Sequence, residues 1–498
     1  MSVLFYLGSA LLALALLLAS VCLSALQATD PALAVQLGVL TILALFLAVS
    51  LIVVASGDTR ERSRASGFVS LVILWLVLPL LAAVPFAFLA PELSFVEQLF
   101  EATSGLTTTG ATVLTDLDTA SRPLVFWRAN LQWFGGFMTL AMIFLLLAPA
   151  QVGGLAQRGL HRISDRAGSS RLDNLNTLTP YLLVYVLLTI ISAIALMSSG
   201  LPVFDAVTLA MSGISTGGFM PGSGTIGNYA NAVADIILIL TMIIGASSFL
   251  WLRHLSERNW AQAGFHRESL ILVLLIGLIG TGTGIVIFQA AGSADILPPF
   301  TALREGLFIV TSLLTTTGFE IRDAGTLVLP LPLILALLIV GGAGFSTAGG
   351  LQIFRIGALF LQSARELNRL LYPSSVQKFR LGSEEYTIQL MKKVWAYAFV
   401  FGLTYAAALI VFSLLLPSFE MALMLAGALL SNAGPVYSAP ATVDPNWVNY
   451  HQFSDAGLYA SIALMYLGRV HTLVLMGAVA VWLMSERHLT TFFIGSRR

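Results

Sequence analysis

Ten runs of about twenty predominantly apolar residues fall at roughly 3–25, 34–56, 68–90, 125–150, 178–199, 232–252, 269–291, 329–358, 394–416 and 456–484. Each is long enough for a helix to cross a hydrocarbon core of about 30 Å. Composition agrees: 57% of the 498 residues are hydrophobic, 10% are charged and mean hydropathy is +0.89, too little polar surface to cover soluble domains. The reading is an all-α polytopic membrane protein with ten spanning helices. The first run lacks a basic leader and ends on Leu26-Gln27-Ala28, a poor cleavage site, so it reads as a retained helix rather than a signal peptide. The single cysteine, Cys22, offers neither a disulfide framework nor a Cys/His metal cluster.

Basic residues are segregated along the chain. Starting with the N-terminus inside, alternate loops collect Arg60, Arg62 and Arg64, then Arg158, Arg162, Arg166 and Arg171, then Arg253, Arg258 and Arg267. Later segments add Arg365, Arg369, Lys378, Arg380, Lys392 and Lys393, and finally Arg487, Arg497 and Arg498. These are 19 of the 25 Lys and Arg residues, an asymmetry that sets both termini in the cytoplasm. The opposite side has Arg122, Arg128, Arg304 and Arg322 among acids that include Glu92, Glu97, Glu101, Asp116, Asp118, Asp205, Glu305, Glu320, Glu420 and Asp444. An outer vestibule of that charge attracts cations.

Four segments align without a gap: Thr103-Ser-Gly-Leu-Thr-Thr-Thr-Gly110, Met211-Ser-Gly-Ile-Ser-Thr-Gly-Gly218, Thr311-Ser-Leu-Leu-Thr-Thr-Thr-Gly318 and Gly427-Ala-Leu-Leu-Ser-Asn-Ala-Gly434. Every copy has glycine at the eighth position, and the glycines are spaced by 108, 100 and 116 residues. Each copy follows a spanning run and a segment, such as 91–106 or 299–314, too short to cross the membrane, and precedes another spanning run. The unit is helix, half-helix, loop, helix. Its expected bounds are 66–155, 175–260, 266–370 and 388–490, after an N-terminal helix pair at 1–60. A re-entrant loop survives at mid-membrane only where protein or water surrounds it, so four in one chain are expected to face a common axis.

A half-helix ending there aims the negative end of its dipole at the axis, and small-residue strings beyond it offer carbonyls and hydroxyls that can replace a cation's hydration shell. Glycine permits the backbone angles that turn successive carbonyls inward. The eighth run also carries Gly341-Gly-Ala-Gly-Phe-Ser-Thr-Ala-Gly-Gly350, expected to break its helix into a loop facing the cavity. Arg469 lies inside the tenth run, where a charge must find water or a carboxylate; His471, two residues on and on a different face, reads as packing or interfacial.

Thr107 to Thr112, Ser215 to Phe219 and Thr315 to Phe319 resemble the filter loops of the Trk/Ktr/HKT potassium transporter superfamily, most like its bacterial TrkH type, and Ser431 to Pro435 is similar to the family's divergent last loop. The resemblance covers essentially the whole chain. It implies potassium uptake across the cytoplasmic membrane, with potassium as the transported ion and no cofactor bound by this chain. It implies a filter formed by Thr107, Thr108, Thr109 and Gly110, Ser215, Thr216, Gly217 and Gly218, Thr315, Thr316, Thr317 and Gly318, and Ser431, Asn432, Ala433 and Gly434. A gate under the filter would comprise Gly341, Gly342, Gly344, Ser346, Thr347, Gly349, Gly350 and Arg469. Implied partners are a second copy in a homodimer, the lipid bilayer and a cytosolic TrkA-like ring of RCK-type subunits that binds nucleotide, docked on the basic segments Arg158–Arg171 and Arg365–Lys393; nucleic acid is not one.

Two other classes fit parts of the chain. Gly213-Ile-Ser215-Thr-Gly217 has the form of a serine nucleophile, but the repeat already explains that serine and an enzyme explains none of the other copies. A sodium- or proton-coupled symporter also uses repeats and broken helices, although copies of one orientation favour a single axial pore.

Overall fold

The computed structural model describes residues 2–28, 30–56, 64–149, 171–256, 267–290, 298–372 and 388–470, with a few isolated positions between them. The described residues are mostly helical. In order come α1 (Ser2–Gln27), α2 (Pro31–Ser56), α3 (Arg64–Ala83), the short α4 (Phe86–Leu89), α5 (Phe95–Leu106), α6 (Arg122–Met142, extended by a π turn over Ile143–Leu147), α7 (Arg171–Ser198) and α8 (Val203–Ser215). Then follow α9 (Ala232–Ala246), α10 (Phe249–Ser256), α11 (Arg267–Ala290), α12 (Pro299–Leu314), α13 (Leu331–Val340) and α14 (Ile353–Leu371). A two-residue pairing of Arg380–Leu381 with Glu384–Glu385 leads to α15 (Ile388–Leu415), α16 (Phe419–Leu430), α17 (Pro435–Ser438) and α18 (Asp455–Arg469).

Among the described residues, seven helices are long and apolar enough to cross a membrane. The other three expected runs behave differently. The eighth is split by its glycine-rich segment, as that composition predicts, and the tenth is described only as far as Val470, leaving His471 and the basic tail outside the described residues. The sixth, expected as one straight span over 232–252, instead bends by 104° between α9 and α10. The cause is not local. Residues of the glycine-rich segment enter the break and complete its hydrogen bonds: Ala343 N donates to Ala246 O (2.9 Å), Thr347 N to Gly245 O (3.2 Å) and Phe249 N to Phe345 O (2.9 Å). Backbone freed at that depth has few other partners.

Long helices such as α2 and α15 lie outside and the short ones that end in the loops lie inside, with the long α6 packed among the latter. α2 and α15 are only 17% buried along their apolar windows, and side chains such as Phe46 and Leu414 are exposed, as lipid-facing surface requires. By contrast, α5, α8, α12 and α16 are buried over their last two turns. Each starts at a sharp corner. Ser94 caps α5 in a capping box with Glu97, Ser418 caps α16 by accepting from Met421 N, and prolines precede α8 and open α12. With 12, 13, 16 and 12 residues, these helices are about 18 to 24 Å long at 1.5 Å per residue and stop inside the protein. Close approach is set by glycine: a Cβ at Gly306 of α12 would meet Gly284 N of α11 at 2.3 Å.

Candidate functional site

All four short helices end in the same turn. Thr108, Thr216, Thr316 and Asn432, each the second residue of its loop, have φ of 51°, 53°, 57° and 54°. The amide of each donates to the carbonyl three residues back, and the next amide reaches five residues back: Thr109 to Ser104 (2.9 Å), Gly217 to Ser212 (2.9 Å), Thr317 to Ser312 (3.0 Å) and Ala433 to Ala428 (2.8 Å). This is the Schellman ending of a helix, whose left-handed position ordinarily takes glycine. A residue with a Cβ there costs on the order of 1–2 kcal/mol, and β-branched threonine is an outlier. In three of the four loops the side chain there makes a hydrogen bond to another segment that offsets the strain: Thr216 to Thr347, Thr316 with Gly349 N, and Asn432 to Thr109.

The loops close into a circle. A Cβ at Gly110 would lie 2.1 Å from Gly217 O, one at Gly218 would lie 2.0 Å from Thr317 O, one at Gly318 would lie 2.9 Å from Pro435 Cδ, and one at Gly434 would lie 2.5 Å from Ala111 N. First loop meets second, second meets third, third meets fourth, and fourth returns to first. Gly434 N also donates to Thr109 O at 2.6 Å. The φ angles of Gly110, Gly218 and Gly318 are 79°, 81° and 80°, a conformation glycine tolerates best.

Within the circle the backbone is buried yet leaves oxygens unused. The carbonyls of Thr108, Gly110, Thr216, Gly218, Thr316, Gly318 and Asn432 accept no hydrogen bond from the described residues, although the threonines and Asn432 are at most 1% exposed. Buried carbonyls are nearly always paired, so a cluster without partners needs a ligand. The hydroxyls of Thr108 and Ser431 are also buried without partners among the described residues.

The support behind the loops was largely hidden in the sequence. Glu101, expected as a vestibule acid, is fully buried on α5 and pairs with Arg128 of α6 at 3.0 Å. Its other oxygen accepts from Thr112 Oγ1 (2.6 Å) and Val113 N (2.7 Å), fixing the exit of the first loop, while the Arg128 guanidinium stacks 3.9 Å over the ring of Phe219 at the exit of the second. Arg128 is likewise corrected from an outer charge to a buried one. Gln132 takes the room left by the missing side chain of Gly217: its amide donates to Gly217 O (2.7 Å) and accepts from Phe219 N (3.1 Å) and Ser212 Oγ (3.0 Å). No motif marks Gln132. Only the residue type, an amide inside an apolar helix, could have drawn attention to it.

Beneath the circle lies the segment between α13 and α14. Gly341 and Gly350 have φ of 67° and 78°, and a Cβ at Gly341 would meet Gly349 O at 2.2 Å, so the segment doubles back on itself. It touches three loops. Gly349 N donates to Thr316 Oγ1 (2.8 Å), Thr216 Oγ1 donates to Thr347 Oγ1 (3.3 Å), and a Cβ at Gly349 would meet Ser431 O at 2.0 Å. Thr347 Oγ1 also bonds Ile214 O (3.0 Å) and Gly245 O (2.9 Å). The strained threonines of the second and third loops thus hold this segment. Of the other residues expected there, Gly342 backs onto Ala246, Gly344 N is held by Glu268 (2.8 Å), and Ser346 bonds Ala343 O (2.7 Å).

Arg469 sits directly against the glycine-rich segment. It is 3% exposed and donates one nitrogen to Thr347 O at 2.7 Å, while its Nε and other terminal nitrogen have no hydrogen-bond partner among the described residues. α18 comes this close because residue 468 is glycine; a Cβ there would lie 2.4 Å from Leu430 O.

On the side of the circle away from that segment, the exits of the loops are laced together. Asp118 and Ser223 bond each other's backbone, and Ile226 N and Gly227 N donate to Glu320 O and Ile321 O. Glu320 is half-buried; burial pushes its carboxyl up to about 7 against the opposing hydrogen bonds from Thr326. Glu92 and Glu420 are exposed, and Glu305 pairs with Arg322 (3.4 Å). A cleft of 430 Å³ beside Asp118, Arg122, Asp205 and Tyr229 includes no residue of the four loops.

Comparison with known proteins places this architecture. A family profile designated TrkH and described as a cation transport protein matches residues 37–489. The Trk system potassium uptake protein TrkH of Salmonella typhimurium is 30% identical over 440 residues, covering 85% of this chain and 87% of the relative. Trk system potassium uptake protein TrkI of Halomonas elongata is 30% identical over 414 residues, covering 82% of each. The crystal structure of the potassium transporter TrkH from Vibrio parahaemolyticus superposes with a TM-score of 0.82 at 24% identity, over 95% of this chain and 97% of that one.

Proposed function

The chain belongs to the TrkH family of cation transport proteins, and on that premise we propose that it admits potassium through the circle of four loops in a channel-like manner. The observation that carries this reading is the set of buried, unpartnered carbonyls at Thr108, Thr216, Thr316 and Asn432 and at Gly110, Gly218 and Gly318. A cation shedding its water there exchanges one shell of oxygens for another, and the dipoles of α5, α8, α12 and α16 point their negative ends inward. The tandem units at 66–155, 175–260, 266–370 and 388–490 are then four quarters of one pore.

Residues 341–350 and Arg469 form the barrier in this reading. The segment crosses beneath three loops, and Arg469 adds a fixed positive charge, worth on the order of 3 kcal/mol against a monovalent cation about 6 Å away at an effective dielectric of about 20. Opening requires breaking the bonds from Thr316 to Gly349 and from Arg469 to Thr347. A regulatory partner would act from the cytoplasmic side, where the exposed end of α14 presents Arg369 beside Leu367, Leu370 and Leu371. We assign that surface to a nucleotide-binding TrkA-like subunit, and propose that the membrane protein works as a homodimer with cytoplasmic termini. Most of Arg158–Arg171 lies outside the described residues.

The test is rubidium uptake into liposomes holding the purified protein, with sodium as competitor and Gly318→Ser alongside. A Cβ at Gly318 is strained by its φ of 80° and crowded by Pro435, so wild-type protein takes up rubidium without an imposed sodium or proton gradient and the variant loses selectivity about tenfold or more. Uptake that depends on such a gradient and ignores the substitution would put the coupled symporter in its place.

A further inference from the structure

The fourth loop departs from the other three at its outer end, and the departure has a location. Gly434 has φ of −55°, where its three counterparts stand near +80°, and the chain turns directly into α17. This carries the Pro435 ring into the middle of the circle. A Cβ at Gly110 would lie 3.1 Å from Pro435 Cγ and Cδ, one at Gly218 would lie 3.0 Å from Cγ, and one at Gly318 would lie 2.9 Å from Cδ. One small ring that faces glycines from three different loops, while attached to the fourth, occupies their common axis. Pro435 is half-buried, unlike the fully buried residues just below it, so it stands at the boundary between the loops and the outer vestibule.

The carbonyl that would complete the upper circle of oxygens is also withdrawn. Gly434 O accepts from Tyr450 Oη at 2.9 Å and from Tyr437 N at 3.2 Å, whereas the carbonyls of Gly110, Gly218 and Gly318 accept nothing from the described residues. The withdrawn position is braced. Tyr437 donates to Val448 O (2.7 Å), Trp447 donates to Tyr437 O (2.8 Å), and Tyr437, Tyr450 and Phe453 pack ring against ring with centroids 5.1 to 5.9 Å apart.

We propose that Pro435 is an outer stopper of the ion path, held over the four loops by the Tyr450–Gly434 hydrogen bond, and that cations enter only when Gly434 turns toward the conformation of its three counterparts. The inference rests on the four-loop reading of the site. Proline suits the role because its closed ring is compact, rigid and without an amide hydrogen that could bind the neighbouring carbonyls. Glycine at 434 is demanded in the present conformation by contact with Ala111, and it also permits the turn, since glycine visits both signs of φ readily. The barrier below the loops and the stopper above them would then have to open together for flux.

The test compares initial rubidium uptake for wild type, Pro435→Gly, Pro435→Ala and Tyr450→Phe, with Gly318→Ser as the filter control. Removing the ring raises the rate by roughly tenfold, and losing the tyrosine hydroxyl raises it by about fivefold, while the preference for rubidium over sodium stays at the wild-type value in both. Gly318→Ser does the reverse, losing preference. Unchanged or lower rates in Pro435→Ala and Tyr450→Phe, with Gly318→Ser behaving as stated, would overturn the stopper and leave the filter standing. If Gly318→Ser also kept its preference, the four-loop reading itself would fall. Should the Pro435 variants not assemble, Tyr450→Phe alone decides, because it leaves the loop backbone and ring packing in place.

Discussion

The first and third loops are nearly the same object, and the fourth is not. Thr107 and Thr109 share a hydrogen bond of 2.7 Å, as Thr315 and Thr317 share one of 2.8 Å; Ser104 reaches over its loop to Ala111 O at 2.6 Å, and Ser312 to Phe319 O at 2.8 Å. The fourth loop has Ala433 in place of the second hydroxyl and Ala428 in place of the bridging serine. Its Asn432 instead reaches across to Thr109 Oγ1 (2.9 Å) and Met465 O (3.1 Å). Yet all four keep the same left-handed turn and the same pair of backbone bonds. What the repeats preserve is the backbone that ends each half-helix and bares its carbonyls. The layer outside the glycine is free to diverge, and in the fourth loop it has become a brace.

The comparison also separates the first loop from the third. Glu101 clamps the first exit, whereas the matching position before the third loop is Ile309, a buried aliphatic residue. Glu101→Gln leaves the Arg128 charge buried without its partner, which costs about 3 kcal/mol or more. The expected outcome is a marked fall in thermal midpoint, read by a thermal-shift assay on detergent-solubilised protein. No fall would mean that water reaches Arg128 and that the pair is not a clamp.

A smaller effect distinguishes the left-handed threonines of the first and third loops. Thr316→Val removes the acceptor for Gly349 N while keeping the branched shape, so basal uptake rises about fivefold, the weight of one hydrogen bond. Thr108→Val removes a hydroxyl that has no partner among the described residues and leaves the gating segment untouched. Equal responses in an uptake assay would contradict the idea that the third loop is coupled to the barrier and the first is not.

The smallest effect concerns the third loop's outer neighbour. With its carboxyl raised to about 7, Glu320 gains a proton as pH falls from 8 to 6, and the vestibule loses a negative charge. Rubidium uptake at sub-saturating concentration should fall about twofold over that range, and Glu320→Gln should flatten the profile at the lower level. The sign for stability follows: ionisation is opposed in the fold, so wild type gives up stability as pH rises through about 7, and the glutamine variant does not. A wild-type profile without a step near 7 would remove Glu320 from the cation approach.

Much of this was legible in the sequence. Apolar run lengths marked the seven spanning helices found among the described residues, four aligned glycines marked the loops, and five glycines within Gly341–Gly350 marked the broken helix, because each signal is local. The rest depends on contacts distant in the chain. Ser247 and Ser248 break no helix by themselves; the bend between α9 and α10 exists because residues 343–347 fill it. Glu101 and Arg128 sit among vestibule charges in sequence and are recognisable as a buried pair only once α5 and α6 are side by side. Gly434 reads like its three counterparts, and nothing in its neighbourhood except Pro435 hints that its φ has the opposite sign.

The most direct measurement is the position of a rubidium or thallium ion in an experimental map of the protein, located by anomalous scattering. The expected result is density on the axis among the carbonyls of Thr108, Thr216, Thr316 and Asn432, below the Pro435 ring. Density confined to the cleft beside Asp118 and Asp205, with the axis between the four loops empty at saturating ion, would contradict the assignment of those carbonyls as the cation's ligands.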